Sequence, residues 1–305
     1  MRTINITLLN SINTAFRTIF LNSYRAQNPI ASEIADVRTS NTLEEAYAVI
    51  GASPRMREWI GERVVQNFGA KIHTIKNKDW EVTVEVDRND LEDDRIGIYR
   101  PQIADLGKNA ALLWDDLVAD ALLTGHQNLC FDGQYFFDTD HPMDPENASS
   151  TSLKNLFTAC ALTHANYAYV RSQMAAWKMG PGSGRSLRVK GTKLVVGPAL
   201  EVTAREIVTP QVIPDLAGAT KVNVLAGTAQ VVVLPEITGT DWYLIDASNS
   251  EKPIIVSQRK KPEFVAKTDS SDDSVFWRKK FHFGVDARGV AGYGPWFLAA
   301  KATAA

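Results

Sequence analysis

The chain has 305 residues, 45% of them apolar and 22% charged, proportions ordinary for a globular protein and incompatible with disorder along the whole length. One large domain or two ordinary ones fit this length, at roughly 100 to 200 residues each, and about three quarters of the unfolded surface can leave water on folding. The 33 Lys and Arg residues against 35 Asp and Glu give a formal net charge of -2, which argues against a dedicated nucleic-acid binder driven by counterion release.

Cys130 and Cys160 stand far apart with no His or second Cys at ligand spacing. That excludes a zinc knuckle and a disulfide scaffold and points to a reduced, intracellular assembly environment. The stretch after Arg2 is interrupted by Asn5, Asn10, Asn13 and Arg17 before a signal-type apolar core of about 7 to 15 residues can form. No window approaches the roughly 20 apolar residues that span a bilayer, so a soluble, non-secreted protein is expected.

In chain order, Leu8, Leu9, Ile12, Phe16, Ile19 and Phe20 recur at helical spacing and predict an amphipathic helix over Leu8 to Leu21. Asn22 to Asn41 is polar, has no strong period and contains Pro29, which suits an extended arm more than a core element. Arg57 to Lys78 alternates in places, with Gly61 and Gly69 as bends, and reads as a two-stranded excursion too poor in apolar residues to stand alone. Trp80 to Asp87 is the cleanest strand, with Trp80, Val82, Val84 and Val86 on one face and Glu81, Thr83, Glu85 and Asp87 on the other.

Pro101 to Thr124 carries the strongest helical stripe (Ile103, Leu106, Ala110, Leu113, Leu117, Ala121), with Pro101 in its first turn and Gly125 just past its end. Thr163 to Lys178 predicts a second helix, closed by the loop Gly180 to Gly184. Lys193 to Gly197 is a short buried strand that leads into a helix over Pro198 to Val208. Val231 to Leu234, Trp242 to Ile245, Ile254 to Val256, Phe276 to Ala287 and Tyr293 to Ala299 complete the predicted strands. Helices and strands mix without regular βαβ alternation, so the expected class is α+β.

Candidate chemistry is sparse. The acidic run Asp87, Asp90, Glu92, Asp93 and Asp94 has no histidine and fits neither an EF-hand nor a paired glycosidase site. It reads as a charged loop that caps the next element, with Arg88 and Arg95 as partners. Asp138-Thr139-Asp140-His141-Pro142 brings two carboxylates and an imidazole close enough in sequence for a divalent cation, and equally describes a turn whose side chains bond nearby amides. His73, His126, His141, His164 and His282 are scattered without HExxH spacing. Gly180 to Gly184 follows a helix and lacks the Lys-Ser/Thr ending of a phosphate loop, and Ser183 lacks nucleophile-elbow spacing. Arg259-Lys260-Lys261 and Arg278-Lys279-Lys280 are short basic patches that read as solvated faces.

Several segments together carry a resemblance. They are Pro54 to Arg63 (PRMREWIGER), Ile75 to Glu81 (IKNKDWE), Val86 to Asp94 (VDRNDLEDD), Cys130 to Gln134, Phe136 to Pro142 (FFDTDHP), Leu194 to Glu201, Lys252 to Val256 and Phe283 to Gly294 (FGVDARGVAGYG). In register over nearly the whole chain, they are similar to the major head subunit of Mu-like bacteriophages and prophages. Gly197-Pro198 stands where that pattern has a Pro-Pro pair.

The resemblance implies the Hong Kong 97-type phage capsid fold. It places an N-terminal arm at 1–46, an extended loop at 47–79, a peripheral domain with a long spine helix at 80–129, an axial domain at 130–251 and returning peripheral strands at 252–305. It further implies a non-enzymatic shell protein with no catalytic residues, metal or cofactor, which self-assembles into pentamers and hexamers. Its implied partners are a scaffold, a portal and a maturation protease, with weak non-specific contact to packaged double-stranded DNA. The implied location is the virion, reached from the host cytoplasm. Arg57, Glu58, Trp59 and Arg63 are the expected intersubunit contacts. The alternative reading is a metal-dependent enzyme centred on Asp138, Asp140 and His141.

Overall fold

The structure is a computed structural model that describes residues 6–50, 58–62, 70–93, 95–144, 147–180, 184–214, 220–269 and 273–304. The first apolar stripe forms helix α1 (Ile6–Arg25), followed by the single-turn helix α2 (Ala31–Ile34) and strand β1 (Ala35–Thr39). Next come β2 (Glu44–Ile50), β3 (Ala70–Lys76), β4 (Lys78–Asp87), the short helix α3 (Arg88–Glu92) and the 25-residue helix α4 (Arg100–Thr124).

The middle of the chain gives β5 (His141–Asp144), β6 (Asn147–Leu153), β7 (Leu156–Phe157), helix α5 (His164–Ala176), β8 (Lys178–Met179), β9 (Arg185–Ser186) and β10 (Lys193–Val196). It continues with helix α6 (Glu201–Val208), β11 (Val212–Pro214), β12 (Thr220–Val222), β13 (Gln230–Val233) and β14 (Trp242–Ile245). The chain closes through β15 (Ile254–Lys267), helix α7 (Asp273–Arg278), β16 (Lys280–Tyr293) and β17 (Ala299–Ala302).

Two sheets organise these elements. A four-stranded sheet runs β1-β15-β16-β4, with β1 parallel to β15 and the other pairs antiparallel. A five-stranded sheet runs β13-β10-β14-β17-β7. Helix α4 serves both. Its Ile103, Leu106 and Ala110 pack with Phe16 and Phe20 of α1 and with Val86, Phe281 and Phe283 of the first sheet. Its Trp114, Leu117, Val118 and Leu122 join the larger core, built on Leu194–Val196 of β10, Trp242–Ile245 of β14 and Tyr167, Val170 and Met174 of α5. At 1.5 Å per residue the helix is roughly 37 Å long, enough to reach through both.

Three expectations need correction. Residues 22–41 are not a free arm: Ala31, Ile34 and Ala35 are buried, and β1 pairs with β15 from Ala35↔Ile254 to Thr39↔Gln258. The signal was non-local. The buried carboxylate of Asp115 on α4 accepts from the N–H groups of Ile30 (3.0 Å) and Ala31 (2.6 Å), fixing the entry to α2. Second, the strand expected to end at Val256 continues through the polar residues to Lys267, bulging between Lys260 and Glu263 at Pro262.

Third, the strands expected over Phe276 to Ala287 and Tyr293 to Ala299 are one continuous β16 from Lys280 to Tyr293 and a short β17 beginning at Ala299, with α7 taking Asp273–Arg278. Glycines inside β16 hid its length, because Gly normally punctuates a strand. Here close approach requires them: a Cβ on Gly289 would lie 2.5 Å from the Ser257 carbonyl oxygen and 2.8 Å from the Trp114 ring. The same applies to Gly197, where any Cβ would collide with the Ile237 carbonyl, so the departure from the Pro-Pro pattern is matched by its surroundings. Gly125 lies at φ -60 and is not a left-handed cap. Its bare Cα admits the Phe137 ring, 2.7 Å from a built Cβ.

Gly289→Ala is expected to destabilise the folded subunit by about 1–3 kcal/mol through overpacking, read as an earlier urea midpoint with an unchanged slope. Asp115→Ala, which leaves two N–H groups without their acceptor, is expected to cost at least about 1 kcal/mol in the same assay. Asp116 is exposed on α4, and partial desolvation, followed by the nearby Glu236 and Asp115 carboxylates, raises its carboxyl modestly above its ordinary range. A carboxyl whose pKa is higher folded than unfolded opposes folding once ionised, fully so above the raised value. Asp116→Asn should therefore raise the melting temperature near neutral pH, with the gain vanishing as pH falls through that raised value to the ordinary carboxylate range. A constant gain at every pH would refute the assignment.

Candidate assembly surfaces

β2 and β3 form an isolated antiparallel ribbon, in register from Glu44↔Lys76 to Ile50↔Ala70. It opens at Glu44, ahead of Tyr47. Among its described side chains the apolar support lies at the root, where Tyr47 and Ile75 pack on Ile255 and the Arg38 guanidinium lies 5.3 Å from the Tyr47 ring centroid. Further out, Ile72 is 70% exposed.

Polar bonds hold this root. The Glu45 carboxylate accepts from Asn41 N–H (2.8 Å), Ser40 Oγ (2.9 Å) and Thr42 N–H (3.1 Å). These bonds, led by the Asn41 amide, pull its pKa down to about 2. Asn77 donates from Nδ2 to Ser40 Oγ at 2.8 Å and accepts from Ser257 Oγ at 2.9 Å. All three of these side chains are buried, so the ribbon is rooted in the four-stranded sheet by hydrogen bonds more than by apolar area.

Of the residues expected to touch neighbours, Arg57 and Arg63 lie outside the described residues. Glu58 is exposed, and Trp59 exposes 67% of its surface while its Nε1–H donates to the Gly61 carbonyl at 2.7 Å. Ile60 beside it is exposed too, and Gly61 takes φ +75, a left-handed turn that suits glycine. The described segment thus presents a large aromatic and an aliphatic side chain to solvent. Such a pair keeps apolar surface in water.

The Asp138–Pro142 constellation assembles as a structural knot. His141 is fully buried and stacks on Trp296, with ring centroids 4.0 Å apart and planes 9° apart. Its Nδ1 lies 2.7 Å from Asp132 Oδ2 and its Nε2 lies 3.2 Å from Asn155 Oδ1. Asn155 is oriented by three carbonyls, since its Nδ2 donates to Phe136 O, Trp296 O and Ala299 O. Its oxygen must therefore face the imidazole and accept from Nε2–H.

Both ring nitrogens are engaged by side-chain oxygens, and the imidazole is fully buried. Asp138 accepts from Tyr135 N–H (3.3 Å) and Thr139 N–H (2.7 Å). Burial, then the neighbouring Asp138 charge, raises the Asp140 carboxyl. Among the described residues no group of three His, Cys, Asp or Glu side chains is placed to hold a metal ion. Sequence reading found the triad but missed Asp132, Asn155 and Trp296, whose spacing follows no motif.

The remaining candidates disperse. Asp87 caps α3 by accepting from Asn89 N–H at 2.8 Å, Arg88 pairs with Glu92 at 3.0 Å and Arg95 lies 4.0 Å from Asp90, as the capping reading expects. Asp94 and the stretch from Pro181 to Ser183, including the supposed phosphate cradle, lie outside the described residues. In the basic patches Lys260 pairs with Asp286 (2.6 Å) and Glu263 (3.3 Å), Lys280 pairs with Glu85 (3.2 Å), and Arg259 donates to the Ser40 carbonyl. Cys130 and Cys160 are free and buried, and burial raises both thiols. No described helix is long and apolar enough to cross a membrane.

Over residues 9–160, 156–237 and 235–305 the chain matches the family described as Mu-like prophage major head subunit gpT. It is 32% identical over 268 residues to the Mu-like prophage FluMu major head subunit of Haemophilus influenzae, covering 88% of this chain and 64% of that one. It is 29% identical over 291 residues to the major capsid protein of Escherichia phage Mu, covering 95% of this chain and 72% of that one. The chain thus spans just under two thirds of the FluMu subunit.

A subunit of the procapsid of bacteriophage JBD30 superposes with a TM-score of 0.62 at 30% identity, over 98% of this chain and 76% of that one. The α+β arrangement is the Hong Kong 97-type phage capsid fold. The family is one of structural head subunits and not of enzymes, and the metal-enzyme alternative finds no support in it. Matched along nearly its whole length in sequence and fold, this chain belongs to the Mu-like prophage major head subunit family.

Proposed function

We propose that this chain is a major capsid protein of a tailed bacteriophage or prophage, self-assembling into pentamers and hexamers of an icosahedral head that encloses double-stranded DNA. The observation that carries the reading is the family match along nearly the whole chain. The hydrogen-bonded β2–β3 ribbon, whose described side chains pack on the body at its root, and the exposed Trp59 and Ile60 support it. A two-stranded ribbon is marginal in water, and a neighbouring subunit can supply what it lacks.

The reading divides the chain into an N-terminal arm (1–46), of which α1, α2 and β1 pack on the subunit itself, an extended loop (47–79), a peripheral domain with its spine helix (80–129), an axial domain (130–251) and returning strands (252–305). Arg57, Glu58, Trp59 and Arg63 then contact neighbouring subunits. A scaffold, a portal and a maturation protease act during assembly in the host cytoplasm. Packaged DNA is held by confinement, with weak non-specific contact from the subunit, consistent with the net charge of -2.

Electron microscopy of the purified chain, alone and co-expressed with neighbouring phage gene products, is expected to show uniform closed shells. A chain that stays monomeric in both settings overturns the reading. Trp59→Ala is expected to leave the subunit folded and to raise the protein concentration needed for shells by at least tenfold, as loss of an interface anchor costing more than about 1.4 kcal/mol requires. Shells that form at the wild-type concentration would remove Trp59 from the interface.

A further inference from the structure

His141 lies between two hydrogen-bond acceptors. On one side the buried Asn155 has its amide orientation fixed, because Nδ2 donates to three carbonyls and Oδ1 accepts from Asp138 N–H at 2.9 Å. That same oxygen meets His141 Nε2 at 3.2 Å, so Nε2 carries a hydrogen. On the other side Nδ1 lies 2.7 Å from Asp132 Oδ2, with the two side chains 0% and 1% exposed. A ring lone pair facing a carboxylate oxygen at that distance, away from water, is repulsive. A hydrogen between the two atoms turns the contact into a charge-assisted bond.

The surroundings favour a positive ring. Asp132 Oδ1 accepts from Gln134 N–H at 3.2 Å, and among the described residues no Lys or Arg pairs with this carboxylate. Asp140 is close enough to feel the His141 charge, Asp138 stands beside Asp140, and the buried Cys130 thiol feels Asp132. Lys154 and Lys301, the cations nearest Asn155 in the chain and in its backbone bonding, direct their ammonium groups to the Phe157 ring (5.2 Å) and to Asp241 (3.0 Å). Trp296 covers the imidazole face to face, and an indole face attracts a cation.

We infer that His141 is a buried imidazolium whose Nδ1 proton latches the loop after α4 to the C-terminal turn, a joint that is tight at acidic to neutral pH and slackens as pH rises. The proton rests on nitrogen because imidazole is more basic than carboxylate. One ring thereby joins three distant stretches: Asp132 after α4, Asn155 ahead of β7, and Trp296 between β16 and β17. Below about pH 6.5 a histidine of the unfolded chain is protonated too, and the latch contributes in full. Above it the folded chain keeps a proton that the unfolded chain has lost, so the folding equilibrium weakens by up to tenfold per pH unit until the folded pair releases it. This property belongs to the single subunit and does not depend on the shell reading.

His141→Asn is the discriminating variant, since its amide nitrogen stands near the place of Nδ1 and donates to Asp132 without a titratable proton. Urea unfolding of the free subunit from about pH 6.5 to about 9 is expected to show the wild-type folding equilibrium falling relative to that of the variant, by up to tenfold per pH unit. A ratio that stays constant or rises over this range overturns the latch. Nitrogen-15 NMR of the wild-type chain labelled in its five histidines reads the ring directly and needs no variant to fold. At about pH 7.5, one unit above the free imidazole value, one ring is expected to show both nitrogens protonated. Five neutral rings at that pH overturn the inference as well.

Discussion

The architecture depends on one helix being buried twice. Helix α4 lends its first half to the aromatic core under α1 and the four-stranded sheet, and its second half to the core under the five-stranded sheet. A helix that is apolar on more than one side has no stable position until both neighbours are present, so the two cores are coupled through a single rigid rod. The Asp115 carboxylate extends this coupling to the start of the chain, because it fixes the turn into α2 from the middle of the same helix. Burial of that carboxylate raises its pKa despite the two amide bonds it accepts, so the cost of desolvation at this junction outweighs the pull of the amides.

The four-stranded sheet shows which parts of a fold a sequence displays. Helices α1 and α4 and strand β4 are legible because their apolar residues repeat with the period of the element that carries them. Strand β1 is not, since ADVRT becomes a strand only by lying parallel to residues 254–258 at the other end of the chain. Strand β16 is concealed by its own glycines. Gly289 falls in the gap between the two predicted strands, yet it occupies a place where the Ser257 carbonyl comes too close for a Cβ. Local chemistry announces a turn, and tertiary packing uses the same residue for contact.

The same division separates real from apparent sites. Asp138, Asp140 and His141 look reactive because they are adjacent in sequence, but the geometry of His141 is decided by Asp132, Asn155 and Trp296. Those partners turn a possible ligand into a buried clamp that holds the loop after α4 against the last turns of the chain. The surfaces with the strongest claim to function carry no catalytic residue type. Glu58 and Trp59 came into view only through the resemblance, because an exposed polar–aromatic stretch carries no periodic signal.

This distribution of exposed apolar groups bears on how such a chain stays soluble before it assembles. Trp59, Ile60 and Ile72 are exposed apolar groups among the described residues, and exposed apolar surface pooled in one large patch drives indiscriminate association. A net charge of -2 adds little long-range repulsion between copies. Association then depends on several surfaces engaging at once, a condition that only a correctly oriented copy meets. In the proposed shell, several weak contacts made at once would give cooperativity on closure. Strengthening any one of them would favour premature or misdirected pairing over closure.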